Sequence, residues 1–127
     1  DEGSSVKIRV DRAAAAGSGG TAPPRVLLLH QHQALGQQVE IVALRLHELV
    51  IVMNPAELFV EYQLQIKQHF KDRQVMVVEL ANGWISYVPT RLAIALGGYE
   101  VSQRRVCQEG GQMITDTSIN LVNRIFG

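Results

Sequence analysis

At 127 residues, 46% of them hydrophobic, the chain is long enough to bury one core and too short for two, so a single domain is expected. Twelve basic residues balance twelve acidic ones and no basic stripe breaks the balance, which excludes the electrostatic footprint of a nucleic-acid binder. The apolar runs Val26 to Leu29 and Leu49 to Met53 fall far short of the ~20 residues of a membrane-spanning helix, so no transmembrane segment is expected. The single cysteine, Cys107, excludes an internal disulfide framework and reads as a small hydrophobe.

The first residues, Asp-Glu-Gly-Ser-Ser, lack the basic patch and apolar segment of a signal peptide. Val6 to Val10 then alternates apolar with basic, the period of a half-exposed strand. Residues 13 to 24, AAAAGSGGTAPP, hold no side chain larger than Thr and predict a flexible linker. Residues 1 to 24 therefore form an amino-terminal strand and linker, and 25 to 127 the folded portion. Arg25 to Gln33 and Val39 to Leu46 read as strands, and Leu49 to Met53 as a more buried strand paired to the second across His47-Glu48.

A helix is expected to begin at Asn54-Pro55-Ala56-Glu57, with Asn as cap, Pro in the first turn and Glu57 three after the cap. Phe59, Tyr62, Ile66 and Phe70 supply its buried face. Arg73 to Leu80 is the next strand. Thr90 to Leu96 is a short helix capped by Thr90 and stopped by Gly97-Gly98, and Gln112 to Phe126 a final helix with Ile114, Leu121 or Val122, and Ile125 inward. Strand and helix alternate only in part, so the fold class is α/β: a mixed sheet with an antiparallel strand pair and two to three flanking helices.

Three segments carry more than periodicity: NPAELF at 54 to 59, VVELANGWISYVPT at 77 to 90, and GGYE at 97 to 100. In order and spacing they resemble the carboxyl-terminal part of the catalytic domain of neutral ceramidases and their bacterial relatives, over roughly residues 39 to 125. In that family a Pro-Gly-Glu-Phe type turn precedes a helix, and a later strand runs into Gly-Leu-x-Asn-x-Tyr-x-x-Tyr before a Tyr-Glu pair. The resemblance implies zinc-dependent hydrolysis of the N-acyl amide bond of ceramide-like lipids, in a secreted or periplasmic setting.

It also implies roles. The zinc-binding glutamate matches Glu57, and the zinc-binding tyrosine matches Tyr87, five after Asn82. The tyrosine that donates to the reacting carbonyl oxygen matches Tyr99, twelve after Tyr87. Trp84 stands where the family has the first tyrosine of its motif, and Ala56 where it has the glycine before the glutamate; neither change removes a ligand. Two histidine ligands belong to an upstream region of the family and are not carried onto His30 or His32. Zinc is therefore expected only in a full-length protein, and this chain is either a fragment or a shortened relative, inactive alone. Its expected partners are a ceramide-like lipid amide and either the missing amino-terminal catalytic segment or a second copy.

The residue types suit that chemistry. Zinc accepts carboxylate oxygens at ~2.0–2.2 Å, and a phenol of pKa ~10 becomes a ligand only when a cation stabilises its phenolate. Plainer readings stand beside these. Glu57 is accounted for as half of a capping box with Asn54, Tyr87 and Tyr99 as amphipathic residues at the core edge with Trp84 a packing anchor, and Arg91, Arg104 and Arg105 as solvated charges. His30 and His32 share one strand face, a geometry a metal could use and surface polarity also explains. Two further functional classes stay open: a non-catalytic binding or self-assembly module, and a small metal protein using His30, His32, Glu57 and Tyr87.

Overall fold

The computed structural model describes the backbone of residues 7–12, 25–34 and 37–39, and residues 40–127 in full. The predicted linker at 13 to 24 lies outside the described residues. Five strands form the main sheet in the order β1 (Lys7–Arg12), β2 (Arg25–Ala34), β3 (Gln37–Leu46), β4 (Leu49–Met53), β6 (Gln74–Val78). The first three pairings are antiparallel and β4 to β6 is parallel, so the sheet is mixed as the sequence predicts. The β3–β4 hairpin closes as expected, with Leu46 opposite Leu49. His47 takes the left-handed conformation there (φ 54°), and Arg45 Nε donates to the His47 carbonyl at 2.8 Å, so a side-chain bond supports a turn that lacks glycine.

Register decides which side of the sheet carries the core. Ala43 faces Val52, and Val52 and Val50 face Val77 and Val75, which puts Ile41, Ala43, Val50 and Val52 on one face, all fully buried. Two helices cover it. In α1 (Val60–His69), Tyr62 and Ile66 are buried one turn apart, with Phe70 following at the C-cap. In α4 (Gly110–Phe126), Ile114, Leu121, Val122 and Ile125 all point inward, where the sequence left Leu121 and Val122 as alternatives. The end of α4 is tied to the sheet by Arg45, which donates to the Ile125 carbonyl at 3.3 Å. Arg73 also stacks 4.3 Å from the Phe126 ring centroid.

Small residues let the two helices approach. Gly111 lies in the first turn of α4 directly under Tyr62, and a Cβ there would overlap the tyrosine ring. The Tyr62 hydroxyl donates to the Pro89 carbonyl at 3.3 Å, and burial raises its pKa. Buried Thr115 and Ser118 donate to the carbonyls of Gly111 (2.9 Å) and Ile114 (2.8 Å), one turn earlier in α4.

Two further helices complete the described chain. α2 (Arg91–Leu96) begins as predicted, the Thr90 hydroxyl accepting from the Ala93 amide at 3.1 Å, and stops at Gly97 and Gly98, both at positive φ. α3 (Tyr99–Gln103) follows at once. It brings the helices to four where two to three were expected, because the glycine pair re-aims the chain rather than ending helical structure.

Asn54 corrects the sequence reading. No helix starts there: α1 begins at Val60, and its N-cap, Phe59, makes no side-chain cap bond. Asn54 is fully buried; its amide donates to the Val78 carbonyl at 2.9 Å and its carbonyl accepts from Ala81 at 3.0 Å. Glu57–Leu58 instead forms β5, parallel to β7 (Tyr87–Val88). Long-range backbone bonds satisfy the groups that a capping box would have served, and the local signal loses.

Candidate functional site

The site is built where the chain leaves the carboxyl ends of β4 and β6, the parallel pair. This is the edge at which open α/β sheets place ligands. Residues 78 to 88 wrap the Asn54–Phe59 segment through a run of backbone bonds. Besides the two at Asn54, Leu80 donates to Ala56 (3.3 Å), Ile85 to Pro55 (2.8 Å), Glu57 to Ser86 (3.2 Å) and Phe59 to Val88 (3.2 Å). Within this wrap Leu80 (φ 54°), Asn82 (φ 63°) and Ser86 (φ 76°) all take the left-handed conformation. Asn82-Gly83 is an ordinary turn signal. Leu80 and Ser86 are not residues that choose such φ values, and the surrounding bonds hold them there.

The consequence is a direct pairing of Glu57 with Tyr87, opposite one another in the β5–β7 ladder. Partners in a parallel ladder project to the same face. Tyr99, the first residue of α3, adds a second phenol: its ring stands edge-on to that of Tyr87, centroids 6.1 Å apart at 73°. The three residues singled out by motif spacing are thus neighbours, although they lie on three different elements.

Electrostatics at this point are dominated by Glu57. Its carboxylate is the main cause that raises the Tyr87 phenol, followed by partial burial and then Tyr99 and Glu100. Glu79, just past β6, is raised first by burial and next by Glu57. Negative charge at Glu57 therefore raises both Tyr87 and Glu79, a repulsion of the kind that a divalent cation relieves. Glu57 and Tyr87 fit such an ion as oxygen donors. Among the described residues no group of three or more His, Cys, Asp and Glu could hold a metal. His30 and His32 lie on β2, their side chains outside the described residues.

Trp84 is not the packing anchor that composition suggested. It is exposed, its indole Nε1 donates to Glu57 Oε2 at 3.3 Å, and Arg105 lies 5.3 Å from its ring centroid. Arg91 pairs with Glu109 at 3.5 Å on the surface, in keeping with a solvated charge. Sequence reasoning missed Glu79 and Ser86. Glu79 reads as one more strand residue, and nothing in the local pattern announces that Glu57 acts on it.

The same architecture recurs in solved proteins. The structure of neutral ceramidase from Pseudomonas aeruginosa superposes with a TM-score of 0.53 over 69% of this chain, at 24% identity. The fold is ceramidase-like. A ceramidase complexed with C2 gives a TM-score of 0.51 over 67% of this chain, at 25% identity. The ceramidase-like segment is a small part of those enzymes: the chain spans 16% and 15% of their lengths. No family model and no curated protein sequence matches the chain. Among the described residues no helix is long and apolar enough to cross a membrane.

Proposed function

We propose that this chain contributes half of a zinc-dependent amide-hydrolysing site that acts on N-acyl lipid amides of the ceramide type. The observation that carries the reading is the register of β5 against β7, which sets Glu57 opposite Tyr87, with the Tyr99 ring edge-on beside it. Glu57 and Tyr87 are the ligands, completed by donors from a longer polypeptide. A zinc ion bound by these residues would polarise the amide carbonyl and activate water. Trp84 Nε1 occupies Glu57 Oε2, which orients the carboxylate. Tyr99, exposed, donates its hydroxyl to the carbonyl oxygen as negative charge develops on it.

The test is zinc content and turnover of an N-acyl sphingoid amide, measured on the natural polypeptide that carries this chain. Tyr87→Phe is expected to lose zinc, since it deletes a ligand oxygen and keeps the ring. Tyr99→Phe is expected to retain zinc and slow hydrolysis by roughly 10²–10³, the usual loss for one oxyanion donor. Wild-type zinc and turnover in Tyr87→Phe would end the ligand assignment.

A second reading, a binding or self-assembly module on the same scaffold, is favoured by a different observation. The sheet face turned away from α1 and α4 carries Leu44, Ile51, Met53 and Met76, none of them fully buried. Leu92 and Leu96, one turn apart on α2, are 70% and 79% exposed. Surfaces of this kind are covered in complexes. Light scattering decides: a stable dimer supports the module, and a monomer at high concentration opposes self-assembly.

A further inference from the structure

Ser86 sits where the three parts of the site meet. It is 1% exposed and directly precedes Tyr87. Its carbonyl accepts from the Glu57 amide at 3.2 Å. Its hydroxyl donates to the carbonyl of Gln103 at 2.7 Å, the last residue of the helix that begins with Tyr99. One residue therefore joins the strand of Glu57, the strand of Tyr87 and the helix of Tyr99.

Its backbone makes the choice of residue informative. At φ 76° glycine is the least costly occupant, and any side chain there is strained. What serine adds over glycine is the hydroxyl, and that hydroxyl satisfies a carbonyl that the end of a short helix would leave without an intrahelical partner. A second contact from α3 to the site is the Tyr87–Tyr99 ring pair. α3 has no fully buried residue of its own, so packing alone holds it weakly.

We propose that Ser86 is a positioning residue: its hydroxyl sets the spacing of the Tyr87 and Tyr99 phenols by anchoring α3 to β7. The inference rests on the reading of Glu57, Tyr87 and Tyr99 as one site, but its consequence is structural and is read without metal or substrate. Ser86 touches no reacting atom. It acts by fixing the distance between two groups that do, and a 1 Å error in such a distance costs on the order of 10²-fold in rate.

The experiment is NMR on the full chain, whose three tyrosines, Tyr62, Tyr87 and Tyr99, are readily told apart by substitution. Ser86→Gly relieves the backbone and removes the hydroxyl. The expected result is loss of the Tyr87–Tyr99 ring NOE and roughly tenfold faster amide exchange in α3, the factor carried by one hydrogen bond, with protection in β3, β4 and β6 unchanged. Retention of the NOE and of α3 protection in Ser86→Gly overturns the proposal, since the position then asks only for a left-handed backbone. In the unsubstituted chain the Ser86 hydroxyl proton is expected to be visible and slow to exchange. Its absence overturns the proposal even where the variant does not fold. Failure of the zinc assignment changes neither readout, so the two claims fall separately.

Discussion

Replacing Gly111 with alanine sets two effects of opposite sign against each other. In an isolated helix the change is favourable by about 1 kcal/mol, because glycine is the poorer helix former. Here the new Cβ overlaps the ring of Tyr62, which is buried between α1 and α4. Overpacking of this kind costs about 1–3 kcal/mol. A displaced ring also loses its hydrogen bond to the Pro89 carbonyl, which is worth about 1 kcal/mol. The sum is a net destabilisation of about 1–3 kcal/mol, or a Tm lower by about 4–12 °C for a chain of this size. Thermal unfolding by circular dichroism, with urea titration as a second measure, tests it. In a Tyr62→Ala background the overlap is gone, so Gly111→Ala becomes neutral or stabilising by up to about 1 kcal/mol there, and the double-mutant cycle returns a coupling of about 1–4 kcal/mol. A raised Tm for Gly111→Ala alone would refute the close approach of α4 to Tyr62. Because Pro89 follows β7, the same displacement is expected to loosen the segment that carries Tyr87.

Other outcomes follow from the site and its supports. Glu79 has a folded-state pKa raised above its ordinary 4.5 by burial and by Glu57, so the folded chain holds this proton more tightly than the unfolded chain. Stability from this group is present below pH 4.5 and falls as pH rises from there through the raised value. Glu79→Gln is accordingly expected to gain stability relative to the parent as pH increases across that window; parallel urea curves at several pH values check this, and a constant difference contradicts it. Thr90→Ala removes the cap of α2 and is expected to cost about 1 kcal/mol, with Thr90→Ser close to the parent; equal losses in both would point to the methyl group rather than the hydroxyl.

Much of the fold was legible in the sequence because local chemistry and burial agreed there. The β3–β4 hairpin, the Thr90 cap, the Gly97-Gly98 stop and the inward face of α4 all follow from short patterns that the tertiary structure leaves undisturbed. The resemblance to the ceramidase motif also chose Glu57, Tyr87 and Tyr99, which lie together in space. What the sequence could not decide is how they are held. Asn54 to Glu57 has every mark of a helix start, yet Asn54 is buried and its backbone is bonded to Val78 and Ala81, so β5 forms instead. Two residues of strand at 57–58 and two at 87–88 are too short to announce themselves by alternation; each exists because the other supplies its partners. The influence of Glu57 on Glu79 and the reach of Ser86 to Gln103 depend in the same way on segments 17 to 22 residues apart in the chain. Patterns within one turn or one strand were set by the sequence alone, whereas bonds between segments that meet only after folding were decided by the tertiary structure, because only there do the competing partners of each backbone group come within reach.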